Sequence, residues 1–245
     1  MKSTAILALL LLSCGKPQEA KTEPPPAGSV RVTWLGRAYF LIETSSVKVA
    51  IDPCAKGDFW KADAREVRAD LVLATHGHDD HDAVDLVKGT KAAIRAKCVT
   101  GEETAAGVKV RYVGVDHDAS GGKERGKNTI YVVELEGLRI CHAGDLGHIL
   151  TDEQIKAVGP VDILLLPVGG RWTVELAEAR KVAEQLAPRV VVPMHAKTDL
   201  TPDLAHTVDA FAKDQPNVRR VEANSAVFSK AALPASREIV VLRDQ

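Results

Sequence analysis

The stretch Leu71-Val72-Leu73-Ala74-Thr75-His76-Gly77-His78-Asp79-Asp80-His81 joins an apolar run directly to a knot of histidines and aspartates. Four consecutive apolar residues read as a strand buried on both faces. The polar residues follow at its end, where loops on a rigid scaffold present chemistry. His76 and His78 are two apart in an extended turn, so both can face one side, and Gly77 between them removes side-chain crowding. Asp80 and His81 come as the chain turns toward a helix and can address a second position. Imidazole nitrogen and carboxylate oxygen suit Zn²⁺ and similar divalent ions. A solvated polar turn is the plain alternative. Against it stand four candidate ligands within the six residues 76–81, placed behind a buried strand.

Working outward, VRVTWL (30–35) and YFLIE (39–43) flank Gly36-Arg37-Ala38, and VKVAID (47–52) stops at Pro53. These read as an antiparallel meander. Downstream, 108–115, 130–135 and 138–141 continue the strands, with a tight turn at Gly137. Strands and helices then alternate. A buried strand at 161–166 precedes a helix predicted over 174–187, with Thr173 as its cap. Ala179, Val182, Ala183 and Leu186 share one face of that helix, Glu175 and Glu178 lie at its positive start, and Pro188 ends it. A strand at 189–192 runs into Pro193-Met194-His195, a second helix is predicted over 202–213, and a last strand over 239–242. A β-rich half followed by a β/α half makes an α/β chain of stacked sheets with helices on the outer faces.

The H-x-H-x-D-H pattern resembles the signature of the metallo-β-lactamase superfamily, and the resemblance extends over nearly all of 30–243. It implies a four-layer αβ/βα sandwich and two divalent metal ions, zinc first, with manganese or iron as alternatives. By that resemblance His76, His78 and His117 hold one ion, Asp80, His81 and His195 hold the other, and Asp145 lies between them. It further implies hydrolysis of an ester, lactone or phosphodiester by hydroxide generated on the metals, with Asp80 accepting the proton and Asp52 orienting a ligand histidine from behind. The pieces WLGRAYFLIE (34–43), IDP (51–53), HAGDLGH (142–148), LLPVGG (165–170) and PMHAKT (193–198) resemble the branch with ascorbate-phosphate lactonase-like proteins. Arg37, where such relatives often carry His, and Trp172, where a smaller aromatic is common, depart from it. His142, His148, Gly170 and Trp172 are candidates for contact with a small-molecule or lipid-like substrate. Each also has a structural reading: a hydrogen-bonded histidine, a turn glycine, a core tryptophan. Two other functions stay open: a metal-binding envelope scaffold without turnover, and a single-iron oxidative enzyme.

Composition narrows the partners. The formal net charge is −1 over 245 residues and the pI is about 6.7, with no basic patch, so nucleic acid is not an expected partner. Residues 5–12, AILALLLL, form a run far shorter than the ~20 residues that span a bilayer, with the form of a secretory signal core. The following Leu11-Leu12-Ser13-Cys14-Gly15 resembles the lipobox of bacterial lipoproteins. The expectation is a signal at 1–13, a lipidated Cys14 heading a Pro-rich tether at 14–29, and a hydrolase domain at 30–245, exported and membrane-anchored. Cys54, Cys98 and Cys141 form no C-x-x-C and read as buried free thiols.

Overall fold

The computed structural model describes residues 23–55 and 63–244; the expected signal, Cys14 and the first part of the tether lie outside the described residues. The meander forms as the alternation requires. Strands β1 (Ser29–Trp34), β2 (Phe40–Glu43) and β3 (Lys48–Ile51) pair antiparallel, with Val32 opposite Ile42 and Phe40 opposite Ile51. β4 (Leu71–Leu73) adds to β3 in parallel, and β5 (Ala92–Ile94) adds to β4.

The second sheet begins with an antiparallel run: β6 (Gly101–Ala105), β7 (Val108–Asp116), β8 (Lys127–Leu135) and β9 (Leu138–His142). Helix α1 (Asp152–Val158) then leads to β10 (Ile163–Pro167), and α2 (Leu176–Leu186) to β11 (Val190–Met194). After α3 (Val208–Ala212) come β12 (Val218–Arg220), β13 (Ser225–Ser229) and β14 (Glu238–Val241). The first sheet has the order β13-β1-β2-β3-β4-β5 and the second β12-β14-β11-β10-β9-β8-β7-β6. β13 thus crosses to the first sheet, where Phe228 pairs with Val30.

The period-2 pattern divides the core. Ile163 and Leu165 of β10 point between the sheets with Val32, Ile42, Leu71 and Leu73, whereas Leu164 and Leu166 point at Ala179, Val182 and Phe211 of the helices. A third, smaller cluster covers the other face of the first sheet, with Tyr39, Ala50 and Val72 packed under Ala64 and Val84. That α/β sandwich is the expected class. Among the described residues, however, the layer over the first sheet is built from short 3₁₀ turns at Ala64–Glu66 and Val84–Leu86, while α1, α2 and α3 pack on the second. None of the described helices is long and apolar enough to cross a membrane.

Three local expectations change. Helix α2 starts two residues late, because the Val174 N–H donates to Leu146 O, and Glu175 with Glu178 forms the reciprocal cap in place of Thr173. The helix expected over 202–213 shrinks to α3, capped by Thr207; the N–H groups of Ala205 and His206 instead donate to Gly169 O. Cys54 and Cys141 are buried free thiols, their pKa values pushed up to about 12 by burial, but the free thiol of Cys98 is exposed.

Leu165→Ala opens a cavity between the two sheets and is expected to cost about 2–5 kcal/mol in urea unfolding, whereas Val227→Ala, on the half-exposed edge strand, stays within about 0.5 kcal/mol. Equal, small losses at both positions would contradict a core centred between the sheets.

Candidate metal centre

Every candidate ligand sits just beyond a strand end on one rim. His76, His78, Asp80 and His81 follow β4, His117 follows β7, Asp145 follows β9 and His195 follows β11. Around them, polar side chains tie the loops together. Asp52 at the end of β3 accepts from the Thr75 N–H at 2.7 Å and the Thr75 hydroxyl at 2.8 Å, and its Oδ2 also lies 2.8 Å from His81 Nδ1. Asn128 donates to Ala143 O at 2.8 Å and accepts from the Asp145 N–H at 3.1 Å, which fixes the loop that carries Asp145. Gly144 within that loop has φ +56°, and a Cβ there would lie 2.3 Å from Asn128 Oδ1, so glycine is required. Neither Asn128 nor Gly144 was singled out from the sequence; the only signal was the glycine inside HAGDLGH.

The seven side chains converge as two groups of three joined through Asp145. Ligand atoms of His76, His78 and His117 lie within 4.8 Å of one another, and so do those of Asp80, His81 and His195. His76, His81 and Asp145 form a third such set, linking the two. Asp145 Oδ2 is 3.3 Å from His117 Nε2, 3.5 Å from His81 Nε2 and 3.4 Å from His195 Nε2. His76, His81, His117, Asp145 and His195 are buried, while His78 is exposed and Asp80 half-buried, so the cluster opens to solvent on the His78 side.

Several of these polar atoms are buried without a hydrogen bond: His81 Nε2, both ring nitrogens of His195, His117 Nδ1 and Asp145 Oδ1. Such orphans are costly in an interior. Of these, the Nε2 atoms of His81 and His195 face Asp145 Oδ2 at 3.5 and 3.4 Å, and nitrogen and carboxylate donors gathered in this way are what a divalent cation satisfies, so the donor set fits the expected metals. The charges agree. Burial alone would raise the Asp145 and Asp80 carboxyls. His195, His81 and His117 around Asp145, and His81 with Arg37 beside Asp80, outweigh burial and hold both well below the usual range. Burial alone would lower His81, but Asp145 and Asp52 raise it, so without metal a proton on His81 occupies the centre of the charge.

The remaining candidates fall elsewhere. His142 is fully buried, accepts from the Gly144 N–H at 3.1 Å through Nδ1 and meets Ala38 O at 2.8 Å through Nε2. Both nitrogens are committed inside the fold, which is the structural arrangement the sequence left open for it. His148 accepts from the Asp116 N–H at 3.1 Å and lies 2.8 Å from Ile149 O, bracing the strand end before His117. Gly170 makes a turn at φ +65°, next to Glu175 and His206, which pair at 2.7 Å. Trp172 is half-buried, donates to Asp203 at 3.1 Å, and has the guanidinium groups of Arg171 and Arg125 over its ring at 4.7 and 5.2 Å. Arg125 belongs to the loop 118–126, which Asp118 ties down by accepting from the N–H groups of Ser120, Gly122, Glu124 and Arg125. Arg37 holds the most consequential unpredicted contact, with its Nε 2.9 Å from Asp80 Oδ2.

Comparison with known proteins identifies the family and the fold. The model of the beta-lactamase superfamily domain matches residues 31–195. A UPF0173 metal-dependent hydrolase of Thermococcus onnurineus is 38% identical over 208 residues, a match covering 75% of this chain and 91% of that protein. A Thermotoga maritima crystal structure, described as a Zn-dependent hydrolase of the metallo-beta-lactamase superfamily, is 35% identical with a TM-score of 0.69, covering 88% of this chain and 100% of the other. The Ignicoccus hospitalis metallo hydrolase Igni18, 24% identical with a TM-score of 0.64 over 88% of this chain and 96% of that one, shares the fold.

The histidines set a pH dependence for the metal-free protein. Burial, with His81 beside it, pushes His76 down to about 3, and burial likewise lowers His78, His142 and His195. All four bind a proton less readily in the fold than in the unfolded chain, so their stabilisation is full above the ordinary value of 6.5 and is lost as pH falls below it. His81 has the opposite sign, being raised: its contribution is full below 6.5 and is lost as pH rises through its folded value. Below 6.5 the His81 contribution no longer changes, so the four lowered histidines set the trend there. The melting temperature of chelator-treated protein is expected to fall by about 4 °C or more between pH 6.5 and 4, in scanning calorimetry. A constant or rising value would mean that these imidazoles are not held neutral.

Proposed function

The chain belongs to the beta-lactamase superfamily, among the UPF0173 metal-dependent hydrolases, and on that premise we propose that it is a dinuclear hydrolase, zinc first among its metals, acting on an ester, lactone or phosphodiester. The observation that carries the reading is the single oxygen of Asp145 lying between imidazoles of both ligand groups. His76, His78 and His117 would hold one cation and Asp80, His81 and His195 the other, with Asp145 reaching both. Bound there, the cations supply Lewis acidity and lower the pKa of water toward neutrality.

The protein's own groups do the positioning. Asp52 fixes the His81 ring by taking its Nδ1 side, leaving Nε2 to face the centre. Asp80, half-buried at the open side, stays ionised under the influence of His81 and Arg37, so it serves as a ligand and hydrogen-bond acceptor more readily than as a store for a proton. Buried His142 and Asn128 hold the Ala143–Asp145 loop in place and keep water out behind the carboxylate. Arg125 and Arg171 around Trp172 place positive charge on the loops next to His117 and His195, which favours a substrate with an anionic group.

The test is a panel of lactones and phosphodiesters offered to the purified full chain with zinc, manganese or iron. Metal-dependent hydrolysis is expected, and His78→Ala is expected to lose more than the roughly 10–100-fold that removal of an outer partner costs. Bound metal without hydrolysis of any compound would favour the scaffold, and iron-dependent oxidation the oxidative enzyme; undiminished turnover in His78→Ala would contradict the ligand assignment.

We further propose that the chain is exported and lipid-anchored. The apolar run at 5–12 and Cys14 support export and lipid anchoring. In a bacterial host the full chain is expected in the membrane fraction and Cys14→Ser in the soluble one. A full chain already soluble would remove the anchor.

A further inference from the structure

We infer that Arg37 makes the two metal positions unequal, so that the position of Asp80, His81 and His195 fills second and more weakly. The inference rests on the dinuclear reading above and concerns how this chain sets the two affinities. Arg37 lies in the turn between β1 and β2 with a left-handed backbone, φ +47°. Its carbonyl oxygen accepts from the His195 N–H at 2.9 Å and from Trp34 Nε1 at 2.8 Å. The residue is therefore pinned at its backbone against one member of the second group. Its Nε then reaches Asp80 Oδ2 at 2.9 Å, and the same oxygen lies 3.5 Å from His81 Nε2. Arg37 thus touches two of the three residues of the second position, and the oxygen it takes is the one turned toward the third.

A guanidinium cannot give up its proton under ordinary conditions and has no lone pair to offer a metal. Its side chain is only 11% exposed, so solvent screens the charge poorly. A divalent cation entering the second position must share the Asp80 oxygen with this fixed positive charge and weaken the ion pair that holds it. At the first position the three donors are imidazoles, and His76 and His78 face each other with Nε2 and Nδ1 3.0 Å apart. Metal should occupy that position first, and the second ion should exchange more readily.

The test titrates metal-stripped full chain with Zn²⁺ alone, by calorimetry in a non-chelating buffer, so that the readout is affinity and not turnover. The wild type is expected to show two steps separated by about tenfold or more. His78→Ala should lose the tight step and His195→Ala the weak one. Arg37→Met should tighten the weak step by about tenfold or more and leave the tight step unchanged, while Arg37→Lys, which keeps the charge, should preserve most of the gap. Two equal steps in the wild type overturn the inference, and this arm needs no variant to fold. A second step unchanged or weakened in Arg37→Met also overturns it, because Arg37 would then only be positioning Asp80. No zinc uptake by the wild type would overturn the dinuclear reading itself.

Discussion

A carboxylate taken out of water must be paired, and Asp145 is paired by three imidazoles at once. One of its oxygens lies 3.3–3.5 Å from the Nε2 atoms of His117, His81 and His195. Those rings arrive from loops after three different strands, on both sheets. An isolated charge in that interior would be severely disfavoured, and removing one partner from a buried pair costs more than the pair contributes. The rim of the sandwich is therefore organised around one charge that needs positive neighbours. A proton on His81 meets that need in the metal-free chain, and a pair of divalent cations would meet it better, because the orphaned imidazole nitrogens would be satisfied as well.

The surrounding backbone is bent to serve this centre. Asp52, Arg37 and His195 all have positive φ without being glycine, a conformation that costs energy and persists where neighbours over-determine it. The neighbours are visible. Asp52 is held by Thr75 and His81 through its side chain, and by Leu73 O through its N–H. His195 and Arg37 hold each other through a backbone hydrogen bond. Two tightly packed sheets make such strained ends affordable, since Leu165 and its neighbours lock the strands that precede them.

The parts of this molecule that were legible in the sequence are those where local pattern and tertiary packing ask for the same thing. Alternation in 30–52 gave the meander, and the apolar runs at 71–74 and 161–166 gave buried strands, because burial on both faces leaves no other composition. The histidine motif stood out because so many ligand types rarely crowd six positions by chance. Strands β5, β6, β12 and β13 were missed: all are short, most are partly polar, and β13 is defined by pairing with β1 some two hundred residues away. Helix α1 was missed although Thr151 and Gln154 form its capping box, since only seven residues follow the cap. The expected helix over 202–213 failed in its first half because the Gly169 carbonyl claims the N–H groups of Ala205 and His206, a contact no local pattern announces. The choice between the two readings of His142 could not be made locally for a similar reason, its partners being Ala38, far away in the chain, and the backbone of Gly144. The Arg37–Asp80 contact joins two turns on neighbouring parts of one sheet, and sequence separation alone could not bring them together.

The central claim is that seven side chains on one rim hold two cations with Asp145 between them. Anomalous X-ray diffraction at the zinc edge, from crystals of the protein saturated with Zn²⁺, tests it most directly. The account predicts two anomalous peaks, one among His76, His78 and His117 and the other among Asp80, His81 and His195, with the Asp145 carboxylate against both. A single peak at saturation, or peaks away from these residues, would contradict it.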